Sequence, residues 1–260
     1  MAKNWAAEFL DFAISLADTS GPIIRRHFRT PMKIDTKTDN SPVTIADREV
    51  EQTMRALIAE HYPEHGVFGE EFGQHQKDSE FQWCLDPIDG TKAFTSGKPI
   101  FGTLISLLHL GQPIIGIIDQ PILHERWIGS RGEPTVLNGS QIHTRFCSTL
   151  ENAVLNTTSP DMFIGGDWGH FRRLSDKTKD TVYGGDCYGY AMLACGHIDL
   201  VVEADLKPYD YLALVPVLQG AGALISDWQG NSLDLNSDGH VIAAGDSELL
   251  PKVVEVLNSE

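Results

Sequence analysis

The sequence predicts a layered α+β / α/β protein. An antiparallel-sheet half backed by helices comes first, followed by a smaller mixed-sheet half in which short strands alternate with helices. Three observations predict it. Apolar spacing switches between helical and strand periods along the chain. Two apolar strands, Phe101–Leu110 and Ile114–Asp119, are separated only by Gly111-Gln112-Pro113, the pattern of a hairpin. Beyond the midpoint, five short strand-like runs interleave with helical stretches. The chain has 260 residues, 42% of them hydrophobic, enough to bury a full core as one large domain or two intimately packed halves. A soft boundary near 138–150 divides residues 1–140 from 141–260.

Each element follows from its residues. Residues 3–28 read as an amphipathic helix, with Phe9, Leu10, Ala13, Ile14, Leu16 and Ala17 on its apolar side and a bend expected at Gly21-Pro22. A second helix, 44–61, is preceded by Ser41-Pro42 and ends before Pro63. Residues 66–72 read as a strand ending in Glu70 and Glu71, Trp83–Asp86 as a short buried strand, and Glu125–Gly129 as the strand after the hairpin. Asn138-Gly139 is a tight turn. In the second half, strands are predicted at Val154–Asn156, Thr181–Gly184, Ile198–Val202, Ala223–Ser226 and Val241–Ala244. Helices are predicted over 168–177, 187–196, 210–221 and 247–257.

Composition narrows the function. No run of 18 apolar residues exists, so no membrane partner is expected. The start, Met1-Ala2-Lys3-Asn4-Trp5, has no signal-peptide pattern, and a cytoplasmic protein is expected. A net charge of −16 argues against nucleic acid. The four cysteines, Cys84, Cys147, Cys187 and Cys195, have neither disulfide-framework nor zinc spacing.

The most informative segment is residues 86–94, Asp-Pro-Ile-Asp-Gly-Thr-Lys-Ala-Phe. Asp-Pro and Asp-Gly are ordinary turn dipeptides. Here they follow Trp83-Cys84-Leu85, and a loop leaving a buried strand is where layered α/β proteins place ligands. Asp86, Asp89 and the Ile88 carbonyl form an all-oxygen set, which suits Mg²⁺ or Mn²⁺ rather than zinc. Gly90 and Thr91 stand where a helix could start, and a helix N-terminus offers N–H groups to phosphate. Glu70, Asp47 and Asp210 are further carboxylates, whose plain readings are an exposed acidic turn for Glu70 and a helix N-cap for Asp210, with the same ambiguity for Asp47 inside the second helix.

Taken in order, Gly69-Glu70-Glu71, Asp86-Pro87-Ile88-Asp89-Gly90-Thr91 and Tyr209-Asp210 resemble the inositol monophosphatase superfamily of Mg²⁺-dependent, Li⁺-sensitive phosphatases over nearly the whole chain. Tyr209 stands where Trp is common in that family. The resemblance implies an α-β-α-β-α sandwich and a small-molecule phosphate monoester as substrate. It implies two or three Mg²⁺ ions (Mn²⁺ being possible) held by Glu70, Asp86, the Ile88 carbonyl, Asp89 and Asp210. Glu70 and Thr91 would orient and deprotonate the attacking water, Asp47 would buttress Thr91 or a weaker metal, and Asp89, Gly90 and Thr91 would hold the phosphate. No covalent intermediate is needed. A homodimer is expected on the same ground.

Further blocks resemble the histidinol-phosphate phosphatases of this superfamily. They include Thr91-Lys92-Ala93-Phe94 in place of the Thr-Asn-Phe usual in inositol-specific members, Gly185-Asp186-Cys187-Tyr188-Gly189-Tyr190, and Leu206-Lys207-Pro208-Tyr209-Asp210. Histidinol phosphate carries an ammonium, so its pocket should present carboxylates. Asp186, Glu203 and Asp210 are the expected substrate contacts, with Tyr188 and Trp168 as candidate walls for the imidazole. The rivals are inositol monophosphate or broad specificity, a bisphosphate or nucleotide (disfavoured by the acidic pocket), and a catalytically silent module (disfavoured because every metal carboxylate is kept).

Overall fold

The computed structural model describes residues 5–31, 34–36 and 42–259. The predicted helix start at residue 3, the N-terminal residues Met1–Asn4 and Ser41 lie outside them. Five layers stack in the order α-β-α-β-α, as follows from which apolar side chains meet.

The first layer is α1 (Trp5–His27) and α2 (Ile45–His61), beside a short ribbon of β1 (Ile34–Thr36) and β2 (Pro42–Thr44). The second is an eight-stranded sheet of β3 (Gly66–Gly69), β4 (Gly73–His75), β5 (Phe81–Asp89), β6 (Gly102–His109), β7 (Gln112–Gln120), β8 (Glu125–Ser130), β9 (Val136–Leu137) and β10 (Ser140–Gln141), with the five-residue α3 (Thr91–Thr95) after β5. Its order is β10-β9-β8-β7-β6-β5-β3-β4, antiparallel except where β3 meets β5. Pleating sends alternate residues to opposite faces. On β5, Trp83 and Leu85 pack with Phe12, Leu16, Val50 and Met54 of α1 and α2, whereas Cys84 faces the other way.

That other face meets the third layer. In chain order, β11 (Val154–Thr157), α4 (Asp167–Ser175), β12 (Asp180–Tyr183), α5 (Cys187–Ala194), β13 (Leu200–Glu203), α6 (Pro208–Tyr211), α7 (Leu214–Gly220), β14 (Leu224–Ser226), β15 (Val241–Ala244) and α8 (Leu249–Leu257) follow. Helices α5 and α7 lie between the two sheets, with Tyr190, Leu193, Leu214 and Leu218 packed against Leu104, Ile118 and Trp127 on one side and Val201 and Ala243 on the other. The second sheet, β12-β11-β13-β15-β14, is mixed. Leu200, Val202, Ile242 and Ala244 point to its far face, against Phe171 and Leu174 of α4 and Val253 and Leu257 of α8. Among the described residues, no helix is long and apolar enough to cross a membrane.

Several boundaries differ from expectation for identifiable reasons. The hairpin turns at Leu110-Gly111, both with positive φ (50° and 77°), and Gln112 and Pro113 belong to β7. A two-residue turn of this hand matches the twist of its strands, and a register shift after Leu107 absorbs Pro113. The predicted Trp83–Asp86 strand extends from Phe81 to Asp89. The predicted 66–72 strand ends at Gly69, leaving Glu70 and Glu71 in a turn. The predicted 210–221 helix divides into α6 and α7, because Pro208 starts a turn two residues before Asp210. The α1 helix runs unbroken through Gly21-Pro22.

Candidate active site

The end of β5 builds the centre. Asp86 pairs with Leu104 and Asp89 with Gly102, so three steps along β5 match two along β6. Such a bulge re-aims side chains, and it lets two acids three apart in sequence share one side. Asp86 Oδ1 accepts the Ile88 amide at 3.0 Å. Thr103 Oγ1 donates to the Pro87 carbonyl at 2.8 Å and pins the loop from behind. Asp210 arrives from α6, where its carboxylate accepts the Lys207 amide at 2.7 Å. Oxygens of Asp86, Asp89 and Asp210 all lie within 4.8 Å of one another.

A second acidic group adjoins the first: Asp47, Glu70 and Glu71 also bring oxygens within 4.8 Å. The metal set expected from sequence therefore spans two clusters, with Glu70 facing Asp86. Asp47 Oδ2 accepts both the amide and the hydroxyl of Thr44, at 2.8 and 2.5 Å, and caps α2. Its Oδ1 is buried with no hydrogen-bond partner. The Thr91 hydroxyl donates to the Ile88 carbonyl at 3.1 Å, which makes Ile88 rather than Asp47 its partner.

This much negative charge needs a counter-charge. Burial, then Glu70, Asp89 and Asp210, push the Asp86 carboxyl well above its ordinary range. Burial, then Asp186 and Asp210, do the same to Asp89. Asp210 is pushed up to about 7 by burial, against the Lys207 amide and with help from Glu70. Among the described residues no Lys or Arg pairs with Asp47, Asp86, Asp89 or Asp210. An orphaned buried oxygen, two groups of converging carboxylates and hard oxygen donors fit divalent metal ions.

Sequence reasoning assigns no role to Glu71 and does not reach Glu51, which shapes this turn. Glu51 is fully buried. Its carboxylate accepts the amides of Glu71 (2.7 Å) and Phe72 (3.2 Å) and the Arg55 Nε (2.7 Å). A β-carbon on Gly69 would stand 2.0 Å from Glu51 Oε1, so glycine alone lets the chain come this close. Asp47, Glu51 and Arg55 recur every fourth residue on one face of α2, which is the signal that points to them.

Beyond Asp89, Gly90 takes a left-handed φ of 91° and opens α3, so the backbone turns immediately past the carboxylates. Asp89 Oδ2 accepts the Cys187 amide at 2.5 Å, tying β5 to α5. A cavity of about 50 Å³ lies here, walled by Asp89, Asp186, Glu203, Asp210, Tyr190 and Met162 among others. Asp186 precedes α5 yet its side chain caps nothing. Its backbone sits at φ 45°, ψ −136°, a conformation a non-glycine residue adopts only when its surroundings impose it, as they often do at functional sites. Burial, then Glu203, push its carboxyl up to about 7 against the pull of Lys92. Glu203 is the buried end of β13, where it accepts the Thr158 amide at 2.8 Å and the Tyr190 hydroxyl at 3.0 Å.

The two aromatic walls expected from sequence lie elsewhere. Tyr188 donates to Glu125 at 2.8 Å and sets its ring edge-on to Trp127, on the side of α5 away from the cavity. Trp168 is 38% exposed and packs on Phe163 and Phe171. The aromatic ring in the cavity wall is that of Tyr190, two positions along α5, because the helical period brings 186 and 190 to one face.

Comparison with known proteins gives a consistent placement. The profile of the inositol monophosphatase family matches residues 5–260. The bifunctional phosphatase IMPL2 of Arabidopsis thaliana is 50% identical over 252 residues, 94% of this chain and 73% of that protein. The histidinol-phosphatase of Mycobacterium tuberculosis is 34% identical over 230 residues, 85% of this chain and 88% of the relative. Among solved structures, an inositol monophosphatase from Zymomonas mobilis superposes with a TM-score of 0.90 at 49% identity, covering 97% of this chain and 98% of that one.

Proposed function

Given that the chain belongs to the inositol monophosphatase family and is a phosphatase, we propose that it hydrolyses L-histidinol phosphate to L-histidinol and phosphate with Mg²⁺. The observation that carries this reading is the pair Asp186 and Glu203 in the wall of the cavity next to Asp89 and Asp210. Two carboxylates suit a leaving group bearing an ammonium, where each charge-assisted hydrogen bond contributes roughly 1.5–3 kcal/mol. They repel a second phosphate.

In this reading Glu70, Asp86, the Ile88 carbonyl, Asp89 and Asp210 hold the ions, with Asp47 and Glu71 close enough to complete the set. Bound there, Mg²⁺ supplies a water acidified for attack and positive charge for the leaving oxygen. Glu70 accepts the water's proton and Thr91 orients it. The Gly90–Thr91 backbone faces the phosphate oxygens. Asp186 receives the ammonium, and Glu203, braced by Tyr190 and Thr158, reinforces it. Burial, then Asp89, raise the Cys187 thiol well above its ordinary range, which favours the thiol over the thiolate.

A second reading, inositol phosphate or broad specificity, is favoured by the names of the relatives near 50% identity, one an inositol monophosphatase and one bifunctional. Phosphate release from L-histidinol phosphate, myo-inositol 1-phosphate and 3′-phosphoadenosine 5′-phosphate, each with Mg²⁺ and with EDTA, decides between them. A preference of about a hundredfold in kcat/KM for histidinol phosphate, roughly 2.7 kcal/mol, abolished by EDTA, is expected. Comparable rates on all three discard the histidinol assignment. The expected homodimer is checked by light scattering.

A further inference from the structure

A second cavity, of about 460 Å³, lies on the far side of the large sheet from α5, between α1 and the ends of β7 and β8. Its size is that of a small-molecule pocket, roughly 300–1,000 Å³. Its wall mixes charges: Asp18 and Arg25 from α1, Asp119 from β7 and Arg126 from β8. Arg126 divides its guanidinium between two carboxylates, with Nε on Asp119 at 2.6 Å and a terminal nitrogen on Asp18 at 2.7 Å. Asp119 is only 4% exposed, and burial raises its carboxyl in spite of Arg126. Arg25 forms no ion pair within 4 Å among the described residues; its hydrogen bond is to the Pro121 carbonyl at 3.4 Å, and its charge also acts on Asp119. Pro22 and Gly21 of α1 also stand in the wall.

The cavity thus offers a guanidinium outside any ion pair, Arg25, near a carboxylate, Asp119, that Arg126 shares with Asp18. The two Arg and two Asp in the wall cancel. A simple anion meets Asp18 and Asp119, and a simple cation meets Arg25 and Arg126. A molecule with both charges a few ångströms apart satisfies each side. We propose that this cavity binds a small zwitterion of the α-amino-acid class, its carboxylate on Arg25 and its ammonium on Asp119 and Asp18. The site is independent of the phosphatase substrate. It lies two strands from the metal loop, since Asp119 pairs with Thr103, whose hydroxyl holds Pro87.

Titration calorimetry of the intact protein with the common L-amino acids, and with acetate and methylammonium as half-ligands, tests this. At least one amino acid binds with a Kd of about 1 mM or tighter, and both half-ligands bind at least tenfold more weakly. Arg25→Ala lowers the affinity tenfold or more while phosphate release is unchanged. Asp186→Asn leaves it unaltered, which separates this cavity from the substrate pocket. The proposal falls if no amino acid binds at about 10 mM, if acetate binds as well, if Arg25→Ala has no effect, or if Asp186→Asn abolishes the binding.

Discussion

A β-carbon on Gly90 would lie 2.8 Å from Asp186 Oδ2 and 3.1 Å from Asp186 Cβ. The residue that turns the metal loop into α3 and the carboxylate at the head of α5 compete for one space, and only a hydrogen at position 90 leaves it to Asp186. Gly90→Ala must also hold φ near 91°, a strain of about 1–2 kcal/mol. We expect the variant to fold, with an unchanged circular dichroism spectrum, and to lose on the order of a hundredfold in kcat/KM, as small misplacements at reacting centres do. Activity within threefold of the parent refutes the crowding argument.

Glu51→Gln tests the brace beneath the acidic turn. It removes the Arg55 ion pair and puts a donor where the Glu71 and Phe72 amides need acceptors. A drop of roughly 1–3 kcal/mol in unfolding free energy is expected, together with a rise of tenfold or more in the Mg²⁺ concentration for half-maximal rate, as when an outer partner of a metal ligand is lost. KM at saturating Mg²⁺ should stay near the parent value. If stability falls but Mg²⁺ demand does not, Glu51 is structural only.

Asp186→Asn separates substrate recognition from catalysis. Loss of one charged partner for the ammonium should lower kcat/KM for histidinol phosphate on the order of tenfold or more. Hydrolysis of inositol 1-phosphate, whose leaving group has no ammonium, should change little. Equal losses on both substrates place Asp186 in the machinery common to them.

The metal-free site stores repulsion, and Asp86→Asn should release part of it. Asparagine keeps the oxygen that accepts the Ile88 amide and removes a charge from between Glu70, Asp89 and Asp210. In EDTA we expect the variant to be more stable than the parent by about 0.5–2 kcal/mol, yet to be inactive at any Mg²⁺ concentration. In excess Mg²⁺ the order of stabilities should reverse. Thermal denaturation with and without Mg²⁺ measures both, and a less stable variant in EDTA contradicts the account.

His240 supplies a pH-dependent clamp. Its Nε2 meets Asp167 at 3.2 Å and its Nδ1 meets Asp238 at 3.0 Å, so it ties the start of α4 to the loop before β15. Burial lowers its affinity for a proton, and the two carboxylates outweigh that and raise it above the ordinary 6.5. The folded state therefore holds the proton more tightly than the unfolded state. The stabilisation is complete below about pH 6.5 and disappears as pH rises through the higher folded value. The stability difference between parent and His240→Gln should be about 0.5–1 kcal/mol at pH 5.5 and shrink toward pH 8.5. A difference that grows with pH has the wrong sign.

The parts of the site written contiguously were legible in the sequence. Asp86, Asp89, Gly90 and Thr91 form one peptide, and their chemistry is local. The bulge that turns both carboxylates to one side depends on β6 as a partner and leaves no local mark. Glu51 lies 20 residues from the amide it holds, and only the fold brings α2 against that turn. Pro113 reads as a turn residue until its partner strand shows the irregularity that accommodates it. Tyr188 and Tyr190 are chemically equal in sequence, and only the face of α5 decides which one lines the cavity.

Asp86 and Asp89 leave the ribosome more than a hundred residues before Asp210, and the amide that fixes Asp89 belongs to Cys187. The nascent chain thus carries an incomplete acidic cluster through nearly half of its synthesis. The cluster closes only when the segment beyond β13 docks, so its completion is a late event in the life of each molecule, timed by chain order.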